Sequence, residues 1–109
     1  MKFKIVILPA AERDVDRILN WLIAASASGA ASWLTKWDKV LDSLKESAAG
    51  CGLAPEDEDH ELVIQQVIFK TRRGAAYRAI FTIRDTAVYI LHVRGPGQNI
   101  LATDDVILP

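Results

Sequence analysis

A chain of 109 residues, half of them hydrophobic and a quarter charged, has the balance of one folded domain and excludes a disordered or fibrous polymer. Its single cysteine, Cys51, rules out an internal disulfide and any multi-cysteine metal site, and no run reaches the roughly 18 apolar residues of a membrane span. The net charge of -1 conceals a segregation: the acids Glu46, Glu56, Asp57, Glu58, Asp59 and Glu61 sit together, ahead of a stretch holding Lys70, Arg72, Arg73, Arg78, Arg84 and Arg94.

Phe3 to Leu8 is apolar and β-branched on both sides, as in a buried strand, and is too short for a secretory core, so an intracellular, cytoplasmic protein is expected. Pro9 ends the strand and suits the first turn of a helix, with Glu12 and Asp14 near its positive end. Val15, Ile18, Leu19, Leu22 and Ile23 form the apolar stripe of that helix. Ala24 to Ser32 is ambiguous, and Gly29 is the expected break. Trp33, Trp37, Val40, Leu41 and Leu44 repeat the helical spacing, so the pair forms an αα-hairpin. Trp33 and Trp37 read as core packing against the first helix, and Trp21 lies at the margin of its stripe.

Ser47 to Glu61, with Gly50, Gly52, Pro55 and the acidic run, reads as a solvated loop; the alternative is that Glu56 to Asp59 shield the basic sheet. Asp57, Asp59 and His60 lack complementary ligands elsewhere, and no metal is expected. Leu62 to Phe69 reads as a strand, and Lys70-Thr71-Arg72-Arg73-Gly74 as a basic hairpin loop. From Tyr77 to Ile83 the odd positions are apolar, while Arg78, Thr82 and Arg84 fall on the even ones. Ala87 to Val93 is apolar on both sides and is expected to be internal.

The turn between these last two strands sets which side chains share a face. A three-residue loop Asp85-Thr86-Ala87 opposes Arg78 to Arg94 and gathers Arg78, Thr82, His92 and Arg94; a two-residue loop opposes Arg78 to Val93. The absence of an Asn-Gly or Gly-first signature favours the longer loop. Gly95-Pro96-Gly97 ends the strand, and Gln98 to Leu108 is a tail of mixed character.

The run YRAIFTIRDTAVYILHVR, with Leu53-Ala54-Pro55-Glu56 and Pro9-Ala10-Ala11-Glu12-Arg13-Asp14 before it, resembles the RelE/ParE superfamily of bacterial toxin-antitoxin toxins, among them plasmid stabilisation proteins. The resemblance spans nearly the whole chain. It implies a single α+β domain over residues 1–109: an N-terminal strand, an αα-hairpin with both helices on one sheet face, then an antiparallel three-stranded meander whose other face is basic.

The implied partners are a cognate antitoxin and either DNA gyrase or the ribosome with its mRNA; homodimerisation stays open, and neither a membrane nor a cofactor is implied. If the chain is an endoribonuclease, Arg78 stabilises the phosphorane, with His92 and Arg94 beside it. Lys70, Arg72, Arg73, Tyr77 and Arg84 are the candidate nucleic-acid or target contacts, and Trp21, Trp33 and Trp37 the candidate antitoxin contacts. Where many relatives continue with a late basic cluster, this chain has Gly95-Pro96-Gly97-Gln98, and where many have Ile-Arg-Gln it has Ile64-Gln65-Gln66. These departures favour gyrase inhibition over RNA cleavage, with a non-toxic antitoxin-binding module as the third reading.

Overall fold

The computed structural model describes residues 2–59, 62–71 and 75–96. The elements run β1 (Lys4–Ile7), α1 (Pro9–Ala25), α2 (Ala27–Ser47), β2 (Gln65–Lys70), β3 (Ala76–Arg84) and β4 (Ala87–Arg94), with short 3-10 turns at Ala48–Gly50 and Pro55–Asp59. The four strands form one mixed sheet in the order β1-β4-β3-β2. β2, β3 and β4 pair antiparallel, while β1 returns parallel to β4. β4 is therefore internal, which explains why both of its faces are apolar. Among the described residues no helix is long and apolar enough to cross a membrane.

Pro9 opens α1 where its missing N–H has no intrahelical partner to lose. Val15, Ile18, Leu19 and Leu22 pack on the core, but Ile23, expected on the same stripe, is exposed. It is the last stripe position before α1 ends at Ala25. The break between the helices falls at Ser26 rather than Gly29. Ser26 is extended and its Oγ accepts the Gly29 N–H at 3.1 Å, so it caps α2 and leaves Gly29 inside the first turn.

α2 buries Ala30, Trp33, Trp37, Val40 and Leu44, a spacing that keeps one side against the sheet for the whole helix. Its end is closed by a side chain from the sheet: Gln65 Nε2 donates to the Ala48 carbonyl at 3.3 Å and to that of Cys51 at 2.9 Å. Gln65 is buried for that reason. The helical side of the sheet supplies Phe69, Tyr77, Ala79, Phe81, Val88, Ile90 and Val93 to this core.

The turn between β3 and β4 corrects the expected three-residue loop. Arg84 pairs with Ala87, so Asp85 and Thr86 alone make the turn, and Asp85 takes a φ of 56° that aspartate tolerates better than most residues. Farther along, the register shifts between Ile80 and Phe81: Phe81 pairs with Ile90 and Ile80 with His92, leaving Leu91 as an extra residue. This bulge supplies the residue the shorter turn lacks, and Arg78 still opposes Arg94.

The second face of the sheet is not the open basic surface that was expected. Leu8, Ala54, Ile64, Ile80 and Leu91 form a smaller apolar cluster there, closed by the segment between α2 and β2. Ala54 donates to the Ile64 carbonyl at 2.8 Å and Gln66 to that of Gly52 at 3.0 Å, which fastens the segment along β2. The reason is the apolar Ile80 and Leu91 in mid-strand, which need a cover that polar residues would not.

Candidate functional site

Beyond that cover, cross-strand pairing puts Arg78 of β3 beside Arg94 of β4. Arg78 is held from within the fold. Its Nη1 and Nη2 donate to Glu56 Oε1 and Oε2, both at 2.9 Å, and Nη1 also donates to Gln66 Oε1 at 2.9 Å. Such a two-pronged guanidinium–carboxylate pair is among the stronger polar contacts proteins make. Glu56 is 5% exposed, so it belongs to the fold and not to a solvated loop. It is delivered by the Pro55–Asp59 turn, in which the Asp57 N–H reaches the Ala54 carbonyl at 3.0 Å and Asp57 Oδ1 accepts the Ile64 N–H at 2.8 Å. Of the two readings of the acidic run, shielding of the basic sheet describes Glu56. Arg94 is different: its Nε is buried with no hydrogen-bond partner, and among the described residues it forms no ion pair.

His92 is held on the other flank of β4. β1 ends at Ile7, and the Leu8 N–H to Ile90 carbonyl bond at 3.1 Å is the last link before Pro9 turns into α1. The Val93 N–H would then be orphaned. Asp14 Oδ2 accepts it at 2.9 Å and lies 2.9 Å from His92 Nδ1. With Asp14 ionised, Nδ1 carries the hydrogen. Burial pushes the Asp14 carboxyl up, but the hydrogen bonds from His92 and Val93 and the charges of His92 and Arg17 outweigh it and hold the group below its ordinary value. Arg17 Nη2 is 3.4 Å from Asp14 Oδ1 and is mostly exposed, so that pair adds little.

The remaining candidates are dispersed. Lys70 is exposed at the end of β2, and Arg72 and Arg73 lie outside the described residues. Tyr77, expected at a contact surface, is buried: its ring stacks on Phe69 with centroids 5.7 Å apart and meets the edge of Trp33 at 5.6 Å. Arg84 stands at the opposite end of β3 from Arg78, roughly 20 Å away at strand rise, with its guanidinium over Tyr89 at 5.7 Å.

Trp33 and Trp37 are 2% and 3% exposed and stack on each other with centroids 5.9 Å apart, so neither is available to an antitoxin. They are core residues as expected, but their ring contacts are with Phe69 and Tyr77 of the sheet, where packing against the first helix was expected. Trp21, at 71% exposure, is the only one of the three candidate tryptophans on the surface. Sequence reasoning missed Asp14 and Gln66 as participants, and it reached Glu56 only as one of a run of acids given as shielding the sheet. Asp14 and Glu56 stand in the quoted Pro9–Asp14 and Leu53–Glu56 motifs, and a buried role for those acids was the available signal.

Among the described residues, no three His, Cys, Asp or Glu side chains converge in a way that would hold a metal ion. Fold and site together define an α+β domain whose sheet carries an arginine pair, one member neutralised from within. No family model matches the chain, and no curated protein matches it either.

Proposed function

We propose that the chain is the toxin of a toxin–antitoxin pair of the RelE/ParE kind, acting in the ParE manner by contact with DNA gyrase and neutralised by a small antitoxin. The observation that carries this reading over RNA cleavage is the state of Arg78. Metal-independent cleavage needs a guanidinium available to the phosphorane and an acid and a base at the scissile bond. Arg78 is instead paired with Glu56 and Gln66, and His92 is tied to Asp14. The late basic cluster that RNA-cleaving members use is replaced by Gly95-Pro96-Gly97-Gln98. Binding to a large protein asks for none of these groups, and the exposed Trp21 on α1 offers it an aromatic anchor.

The test is DNA supercoiling by purified gyrase with the chain added. Inhibition relieved by the antitoxin is expected; unaffected supercoiling overturns the reading. The ribosome-dependent endoribonuclease is the second reading, favoured by the opposition of Arg78 and Arg94 with His92 two residues along the same strand. Cleaved messages with intact supercoiling would establish it instead, and growth unchanged on induction would leave an antitoxin-binding module.

A further inference from the structure

We propose that the cavity where α1 and α2 meet the end of β1 binds an arginine side chain of a partner polypeptide, Glu12 and Asp16 taking the guanidinium and Ile7, Val15 and Trp37 its alkyl stem. The proposal is independent of the gyrase reading. The cavity has a volume of about 210 Å³ and is lined by those five residues. Ile7 ends β1, Val15 belongs to the apolar stripe of α1, and Trp37 comes from the buried stripe of α2. Glu12 and Asp16 stand one turn apart on α1, so their side chains share one side of the helix. Both are exposed, which leaves the acidic side of the cavity open to solvent.

The helix dipole accounts for Glu12, in the first turn of α1, but not for Asp16 a turn farther in. Like charges four residues apart repel, and among the described residues neither carboxylate forms an ion pair. Arg17, next to Asp16 in sequence, pairs with Asp14 instead. A cation held between Glu12 and Asp16 removes their repulsion.

The walls set the kind of cation. The volume is below the roughly 300–1,000 Å³ of sites for whole small molecules, so it fits a single side chain. Two aliphatic walls and an indole suit an alkyl stem with a charged head, and among the described residues no three side chains converge to hold a metal ion. A planar guanidinium forks onto carboxylates and stacks on aromatic rings, where an ammonium is only a point charge. No cationic residue lines the cavity, so the carboxylate of a free amino acid would meet negative charge alone. An arginine inside a polypeptide carries no such group.

The experiment is a titration of the full, isotope-labelled chain followed by its indole N–H signals in NMR spectra. The probes are N-acetyl-arginine amide and its neutral isostere N-acetyl-citrulline amide. The arginine probe is expected to move the Trp37 signal saturably and leave the exposed Trp21 signal in place, and the citrulline probe to bind about fivefold more weakly or worse. Glu12→Gln/Asp16→Asn should weaken the arginine probe to the same degree, and Glu46→Gln, the same charge change at an exposed position elsewhere, should match the parent. An unmoved Trp37, an equal shift of Trp21, equal binding of the two probes, or unchanged affinity in the double variant each overturns the proposal. N-acetyl-lysine amide and free arginine should both bind more weakly than the arginine amide. Equal or tighter binding of the lysine probe overturns the guanidinium assignment, and that of free arginine the polypeptide one. Should the double variant not fold, the probe comparison in the parent chain decides the matter. A negative result here leaves supercoiling inhibition untouched.

Discussion

Asp14 Oδ2 lies 2.9 Å from His92 Nδ1 across a separation of 78 residues, and the same oxygen receives the Val93 amide. A carboxylate from the second turn of α1 thus continues the β4 edge where β1 has run out. It fixes the helix to the sheet and the imidazole to one orientation.

Asp14→Asn should lower unfolding stability at neutral pH by about 1–3 kcal/mol, because the Val93 amide and His92 lose a charged acceptor. The carboxyl is held below its ordinary value of 3.8 in the folded chain, so its contribution is complete above the unfolded value and disappears as pH falls through the folded one. Urea midpoints of parent and variant should converge as pH falls below the ordinary carboxyl value. A gap that persists undiminished there would contradict the assignment.

Arg78→Ala should destabilise the chain by about 3–5 kcal/mol, because it strands Glu56 where water does not reach it. Arg78→Ala/Glu56→Gln should recover part of that loss. Equal urea midpoints for parent and Arg78→Ala would mean that the pair is not held closed in solution.

The tryptophans should separate by burial. Trp33→Ala removes a ring that touches Trp37, Phe69 and Tyr77 and is expected to cost about 3–5 kcal/mol. Trp21→Ala should stay within about 0.5 kcal/mol by thermal unfolding while weakening any antitoxin or gyrase contact. A large loss of stability in Trp21→Ala would make it a core residue.

Asp85 accepts a left-handed backbone for the sake of a two-residue turn. Asp85→Gly should be neutral or stabilise by up to about 1 kcal/mol, and Asp85→Val should destabilise by about 1–2 kcal/mol because a β-branched side chain clashes at that φ. Melting temperatures of the two variants in the reverse order would contradict the turn.

The parts of this fold that repeat were legible before the structure. Trp33, Trp37, Val40 and Leu44 mark a helix face by spacing alone, and Tyr77, Ala79, Phe81 and Ile83 mark a strand face. Pro9 placed the start of α1 correctly because proline fits few other positions between a strand and a helix. What escaped were features set by single long-range contacts. Leu91 carries no local sign of a bulge, since its side chain fits either register, yet the bulge restores the Arg78–Arg94 pairing that the shorter turn would have broken. Asp14 reads locally as a helix-dipole residue, and its partners lie far along the chain. Glu56 sits among five other acids, and only the packing of Ala54 and Ile64 over Ile80 and Leu91 singles it out for burial.

The measurement that bears most directly on the central claim is pulse-labelling of DNA and protein synthesis in a bacterial host in the minutes after this chain alone is induced. The account predicts that DNA synthesis falls first, with messages intact, and that a co-expressed antitoxin prevents it. Protein synthesis failing first, with cleaved messages and undisturbed DNA synthesis, would contradict it.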